Sequence, residues 1–315
     1  PNAVRIFQSE ENVFSDFNLC EFAFGFSHMT FDRHMRLPNY FFFPHYSELL
    51  AKNRSVAPEI EKDRFCNYIY SNQHADPMRA ELFHAINGYK HVHSHGAHLN
   101  NAEPIEIPTA TVGWNEAKRL VQARYKFTIV CENSSSFGYL TEKMTDALAS
   151  HTIPIYWGSP DVELDFNVDR FINVHSFASL NEVVAEVRRL DEDESAYQEM
   201  LSQNIFTSKN LNLVPTEEKV VTFMRHVFAH RQPVRSRVVW GSWYEDRFKG
   251  LLHDRMQLEA ANAERTALNQ RLGEAEAERA RLADKCEELQ GSLAPYARRA
   301  VKQLLRGIKA RLQRQ

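Results

Sequence analysis

The chain has 315 residues, 43% hydrophobic and 25% charged, with a formal net charge of −3, a balance that excludes wholesale disorder and any general nucleic-acid partner. It holds no apolar run of about 18 residues, so no bilayer-spanning helix is expected, and no signal peptide is visible. Four cysteines, Cys20, Cys66, Cys131 and Cys286, lie far apart with no Cys-x-x-Cys pair, which favours a reducing compartment over a disulfide framework.

The chain opens at Pro1 rather than at a Met, as a fragment of a longer protein would. Residues 1–62 mix short apolar runs with aromatic-rich turns. Within them 4–7 and 20–26 read as strands, followed by Arg36-Leu37-Pro38 and the Phe41-Phe42-Phe43 run. Residues 63–240 then alternate strand and helix signals. Strands are expected at 65–70, 90–93, 125–131, 153–157 and 171–174. Helices are expected from Pro77 to Asn87, stopping before Gly88, and at 115–124, 140–150 and 180–190. This rhythm argues for an α/β fold with a parallel, doubly wound sheet, whose ligands sit at the carboxyl ends of the strands.

Beyond Trp240 the pattern changes. Across 251–294, Leu251, Leu258, Ala261, Leu268, Leu272, Ala275, Leu282, Cys286, Leu289 and Leu293 recur at alternating steps of three and four, with Asp254, Arg265 and Arg279 at the same seam. The spacing predicts a coiled coil and hence a homo-oligomer; a lone solvated helix rich in Ala, Glu and Arg is the alternative. From 295 to 315 there are seven basic residues and no acid, with Val301, Leu304, Leu305, Ile308 and Leu312 at helical spacing. That composition suits a helix lying on an anionic membrane surface, or a basic end packed on a partner.

The densest chemical signal runs from Tyr125 to Pro160: a strand, the polar loop Asn133-Ser134-Ser135-Ser136-Phe137-Gly138, a helix and a second strand. A loop at a strand's carboxyl end that leads into a helix N-terminus offers free N–H groups and a positive dipole end, suited to a diphosphate. Tyr139, Glu142, Lys143 and Asp146 fall at i, i+3, i+4 and i+7, which places them on one helical face. A lysine there supplies a positive charge to phosphate, and a glutamate can take both hydroxyls of a ribose. Physics alone reads this as a sugar-nucleotide or dinucleotide site, with a solvated first helical turn as the alternative.

The same segment resembles the donor motif of the α-1,3/4-fucosyltransferases, glycosyltransferase family 10, in its bacterial, Helicobacter-like branch. The matching residues are Glu132-Asn133-Ser134, Tyr139-Leu140-Thr141-Glu142-Lys143 and Ile153-Pro154-Ile155-Tyr156-Trp157-Gly158. Other family landmarks follow the same order: Glu11-Asn12, Phe24-Gly25-Phe26, Arg36-Leu37-Pro38, Ser71-Asn72 ahead of Arg79, and Leu99-Asn100-Asn101. The family's glycine before the key glutamate is Glu10 here. On a strand, Glu10 and Glu11 would point to opposite faces.

The resemblance implies the GT-B architecture, two Rossmann-like domains with the donor in the cleft, the first of them truncated at 1–62 and the second at 63–240. It implies inverting, metal-independent transfer of L-fucose from GDP-fucose to the 3-hydroxyl, or the 4-hydroxyl, of N-acetylglucosamine in a glycan. By position in the motif Glu11 is the general base. Arg79, Asn133, Tyr139, Glu142 and Lys143 are the donor-binding residues. No cofactor is expected, and the implied setting is the inner face of the cytoplasmic membrane. Two alternatives stay open: a GT-B transferase for another sugar nucleotide, and an inactive transferase module serving as a membrane-surface coiled-coil scaffold. His91, His93, His95 and His98 offer alternating imidazoles that could mimic a zinc site, but no cysteine or carboxylate joins them at metal-ligand spacing, so a polar cleft wall is the expected role.

Overall fold

The apolar runs before and after the polar loop become the centre of a five-stranded parallel sheet. In the computed structural model, which describes residues 4–54, 61–103, 113–230, 238–292 and 295–312, this sheet has the order β5-β4-β6-β7-β8. Its strands are β4 (Arg64–Tyr68), β5 (Val92–Ser94), β6 (Tyr125–Cys131), β7 (Ile153–Trp157) and β8 (Ile172–Asn173). Three helices connect them, α2 (Met78–Tyr89), α3 (Trp114–Ala123) and α4 (Glu142–Ala149), and α5 (Leu180–Glu192) follows β8. The chain runs outward from β4 to β5 and then returns past β4 to β6. The strand order therefore reverses between β4 and β6, where a doubly wound sheet opens a crevice at its carboxyl edge.

Both faces of the sheet are covered, so its strands read as continuous apolar runs rather than alternating ones. On one face Phe127, Ile129 and Cys131 of β6 pack against Leu82, Phe83 and Ile86 of α2 and Val183, Val187 and Leu190 of α5. On the other, Val130 and Tyr156 pack with Met144, Ala147 and Leu148 of α4 and with Tyr46 and Leu49 of α1 (Pro44–Lys52). The result is a three-layer α/β/α arrangement. Gly88 does not stop α2, which runs on to Tyr89. An added Cβ there would meet nothing within 4 Å, so the glycine only weakens the helix, by about 1 kcal/mol relative to alanine.

A second, three-stranded parallel sheet is built from the first 36 residues: β1 (Ile6–Gln8), β2 (Phe22–Gly25) and β3 (His34–Arg36), in that order. After α6 (Glu194–Ser202) and α7 (Ser208–Leu213), helix α8 (Glu217–Ala229) lies against it. The Phe223 ring sits 5.1 Å from Phe24 and 6.1 Å from Phe22, edge-on to both. Both sheets belong to one compact unit, Pro1–Arg237.

The second unit, Val238–Gln315, holds α9 (Val238–Ser292) and α10 (Pro295–Leu312). On α9 the seam residues Leu258, Leu268, Leu272 and Leu282 are each more than half exposed, at 62%, 55%, 58% and 54%. The side chains of Leu251, Cys286, Leu289 and Ile308, and all of Leu293 and Arg314, lie outside the described residues. Among the described residues no helix is long and apolar enough to cross a membrane.

Candidate active site

The crevice between the ends of β4 and β6 is a cavity of about 410 Å³. Tyr70, Ser71 and Asn72 line it from the end of β4, and Val130 and Asn133 from the end of β6. Arg79 enters from the first turn of α2, and Glu142 and Lys143 from the first turn of α4. Glu11 closes it from the bend after β1. The structure thus brings Glu11, Arg79, Asn133, Glu142 and Lys143 together, although more than 130 residues separate the first from the last.

Arg79 is held rigidly. It is 1% exposed, donates to Asn133 Oδ1 at 2.8 Å and to the Cys131 carbonyl at 3.1 Å, and lies over the Tyr70 ring at 4.3 Å. The same hydrogen bond orients Asn133. A guanidinium fixed in this way is ready for an anion without further ordering.

Lys143 depends on a buried carboxylate. Thr141 caps α4, and its hydroxyl accepts from the Lys143 N–H and from Lys143 Nζ at 3.0 Å. Glu132, fully buried at the end of β6, accepts from the Thr141 N–H at 2.8 Å and the Thr141 hydroxyl at 2.7 Å, and its Oε2 lies 3.4 Å from Lys143 Nζ. Burial alone would push the Lys143 ammonium down, but Glu132 and then Glu142 hold it above the ordinary lysine value.

The four-residue face expected over 139–146 does not form, because the helix begins at Glu142 with Thr141 as its cap. Tyr139 precedes it, is 2% exposed, stands edge-on to Phe26 at 5.3 Å and is not among the residues that line the cavity. Asp146 lies fully buried behind the cavity wall, with Lys118 Nζ at 2.7 Å from one oxygen and His45 Nε2 at 3.1 Å from the other. Burial would raise its carboxyl, but these two neighbours bring it below the usual range. Glu10 and Glu11 do not alternate across a strand either: β1 ends at Gln8, and 10–12 form a bend.

The turn into Tyr139 explains one glycine. Gly138 has φ of +79°, and a Cβ there would lie 2.5 Å from the Phe26 carbonyl oxygen. Its N–H donates to Ser159 Oγ and Asp161 Oδ1, both at 2.7 Å, and its carbonyl accepts from Arg36 at 3.3 Å. Arg36 in turn grips both oxygens of the buried Asp165, at 2.7 and 2.8 Å, and Tyr40 donates to the same carboxylate. The N-terminal segment therefore clamps the polar loop from one side.

The sequence reading missed part of the wall. Trp114, Lys118 and Gln122 of α3 also line the cavity, and no local signal marks them, because their position follows from how α3 packs beside β6. Glu132 was readable as part of the motif but carried no assigned role. The histidine row lies outside the cavity. His91 and His93 rings are 4.7 Å apart, and both ring nitrogens of His95 are engaged, by the Tyr125 hydroxyl at 2.8 Å and the Glu103 carbonyl at 3.0 Å. Among the described residues no group of three or more His, Cys, Asp or Glu side chains could hold a metal ion.

A doubly wound sheet with two fixed cations at its switch point, and a carboxylate on the bend that follows a strand of the second sheet, suits an anionic ligand. The chain belongs to glycosyltransferase family 10, the fucosyltransferases. The family model described as "Glycosyltransferase family 10 (fucosyltransferase) C-term" matches residues 60–219, and "Alpha-(1,3)-fucosyltransferase FucT N-terminal domain" matches residues 2–43. The chain is 33% identical to the alpha-(1,3)-fucosyltransferase FucT of Helicobacter pylori, over 64% of this chain and 47% of that protein. It is 28% identical to an alpha-(1,4)-fucosyltransferase of Arabidopsis thaliana, over 48% and 40% of the two chains. It therefore spans about half, or less, of the length of these relatives. A crystal structure of an alpha1,3-fucosyltransferase with GDP-fucose superposes with a TM-score of 0.59 at 28% identity, covering 72% of this chain and 75% of that one.

Proposed function

We propose that this chain transfers L-fucose from GDP-fucose, with inversion and without a metal, to the 3-hydroxyl of N-acetylglucosamine in a LacNAc-type glycan. The observation that carries the reading is the single cavity in which Glu11 faces Arg79, Asn133 and Lys143. Similarity to a fucosyltransferase solved with GDP-fucose supports the choice of donor. The 1–62 and 63–240 segments serve as the two Rossmann-like halves of a GT-B enzyme.

The chemistry needs one displacement at the anomeric carbon. Glu11 takes the proton from the incoming hydroxyl as that oxygen attacks, and its charge stabilises the oxocarbenium-like transition state. GDP departs from the opposite face as an anion. Arg79, Lys143 and the N-terminus of α4 meet its charge, so protein cations do the work that a divalent ion does elsewhere. Glu142 takes the ribose hydroxyls, Asn133 borders the phosphates, and Tyr139 acts from behind the loop on which the donor rests.

In the same reading, the 251–294 segment associates with further copies of the chain along its leucine seam, and 295–315 rides on an anionic cytoplasmic membrane surface. Exposed leucines on α9 and a tail with seven cations support this.

Turnover of GDP-fucose beside GDP-mannose and UDP-galactose tests the donor, and Glu11→Gln tests the base. Loss of kcat of about 100-fold or more with GDP affinity unchanged is expected. Full activity in Glu11→Gln removes the assignment.

A further inference from the structure

Glu11 is exposed on a bend, and its backbone N–H is tied only locally, to Ser9 Oγ at 3.1 Å. Its neighbour makes the long-range contacts. Asn12 Nδ2 donates to Ser134 Oγ at 2.7 Å and to Ser136 Oγ at 2.8 Å. Those two serines belong to the loop between Asn133 and the turn at Gly138, on the way to the Thr141 cap. One amide group therefore joins the bend that carries the carboxylate to the loop that borders the phosphate-binding cations. The Asn12 oxygen is enclosed and has no hydrogen-bond partner among the described residues, so the bridge rests on the nitrogen alone.

The far end of the same loop is held separately. Arg36, Ser159 and Asp161 fix Gly138, and Phe26 backs Tyr139. The loop is thus a rigid reference, and Asn12 is what registers the Glu11 bend against it. Displacing a reacting group by about 1 Å costs on the order of 100-fold in rate. The bend is anchored on either side, by the pairing of Gln8 with Phe24 and by the Phe14 ring 4.9 Å from Phe26, and between those anchors Asn12 makes the side-chain link to the donor loop.

We propose that Asn12 is a positioning residue: through Ser134 and Ser136 it sets the Glu11 carboxylate against the donor loop, so that base and leaving group stand in line. This rests on the reading of Glu11 as the base. Asn12 itself need not touch either substrate, and its effect falls on the chemical step rather than on donor binding.

The test uses the full chain with GDP-fucose and a soluble acceptor. Asn12→Ala is expected to lower kcat by about 10- to 100-fold, with GDP affinity within about twofold. The Ser134→Ala/Ser136→Ala pair should lower kcat similarly, and all three changes together should be no worse than either alone, because one bridge is lost once. Asn12→Gln, which keeps the donating amide without adding charge, should recover part of kcat; it and the serine pair keep the test valid if Asn12→Ala fails to fold. A kcat within twofold in Asn12→Ala, losses that multiply across the bridge, or an Asn12→Gln no more active than Asn12→Ala overturns the proposal. Glu11→Gln, run in parallel, separates the two ideas. If it is dead while Asn12→Ala is fully active, only the positioning role falls. If Glu11→Gln is active, the base assignment falls first.

Discussion

Lys143 owes its charge to the carboxylate beneath it. Its side chain is only 18% exposed, and a lysine that buried tends to lose its proton. Glu132 and Glu142 reverse that tendency and raise it. With the folded value raised, the cation persists wherever a free lysine is charged and is lost only as pH rises through the raised value. Glu132→Gln keeps the shape of the site and removes the charge. GDP affinity, titrated from about pH 7 to about pH 10, should then decline at a lower pH than in the unaltered protein. An unchanged alkaline limit would mean that Glu132 does not sustain Lys143. The pairing was not legible in the sequence. Glu132 and Lys143 are eleven residues apart, on two different elements, and only the turn at Gly138 and the Thr141 cap bring them together.

At the scale of elements, the parallel sheet was the most legible part. Strands covered on both faces need continuous apolar runs, and 125–131 and 153–157 have that pattern with the observed boundaries. Helix starts were harder to place. The spacing of 139, 142, 143 and 146 predicts one shared helical face, yet Thr141 offers a capping hydroxyl and begins the helix after itself, which leaves Tyr139 outside it. What joins the elements across the molecule was hidden for another reason: β3 meets the loop after β7 through Arg36 and Asp165, 129 residues apart. Asp165 is fully buried and Arg36 only 10% exposed. Burial alone would raise the Asp165 carboxyl, but Arg36, His28 and Tyr40 hold it below the usual range. Breaking such a pair from one side leaves a buried charge unmatched, at a cost of about 3–5 kcal/mol. Asp165→Asn should lose stability of that size in urea unfolding, and donor affinity with it, since Arg36 also holds Gly138. A loss below about 1 kcal/mol, the range of surface pairs, would show that the clamp is not what joins β3 to the donor loop.

For the whole molecule, the two units make separable predictions. Removing 295–315 should release the protein from anionic vesicles and leave activity on a soluble acceptor intact. Removing 251–315 should also reduce its mass in solution to that of one chain. Membrane binding and mass that survive both truncations would refute the account of the tail. The α3 wall of the cavity was not readable in the sequence, because packing rather than periodicity puts Trp114, Lys118 and Gln122 there.

In the proposed mechanism a nucleoside diphosphate is held at the start of α4, between Lys143 and Arg79. Amide hydrogen exchange with and without GDP tests it directly. Slowed exchange across 133–146 and at the first turn of α2, with the groove between β3 and α8 that His34, Arg36, Thr222 and Phe223 line unaffected, is the predicted result. Protection confined to that groove, or to the histidine row on β5, would contradict it.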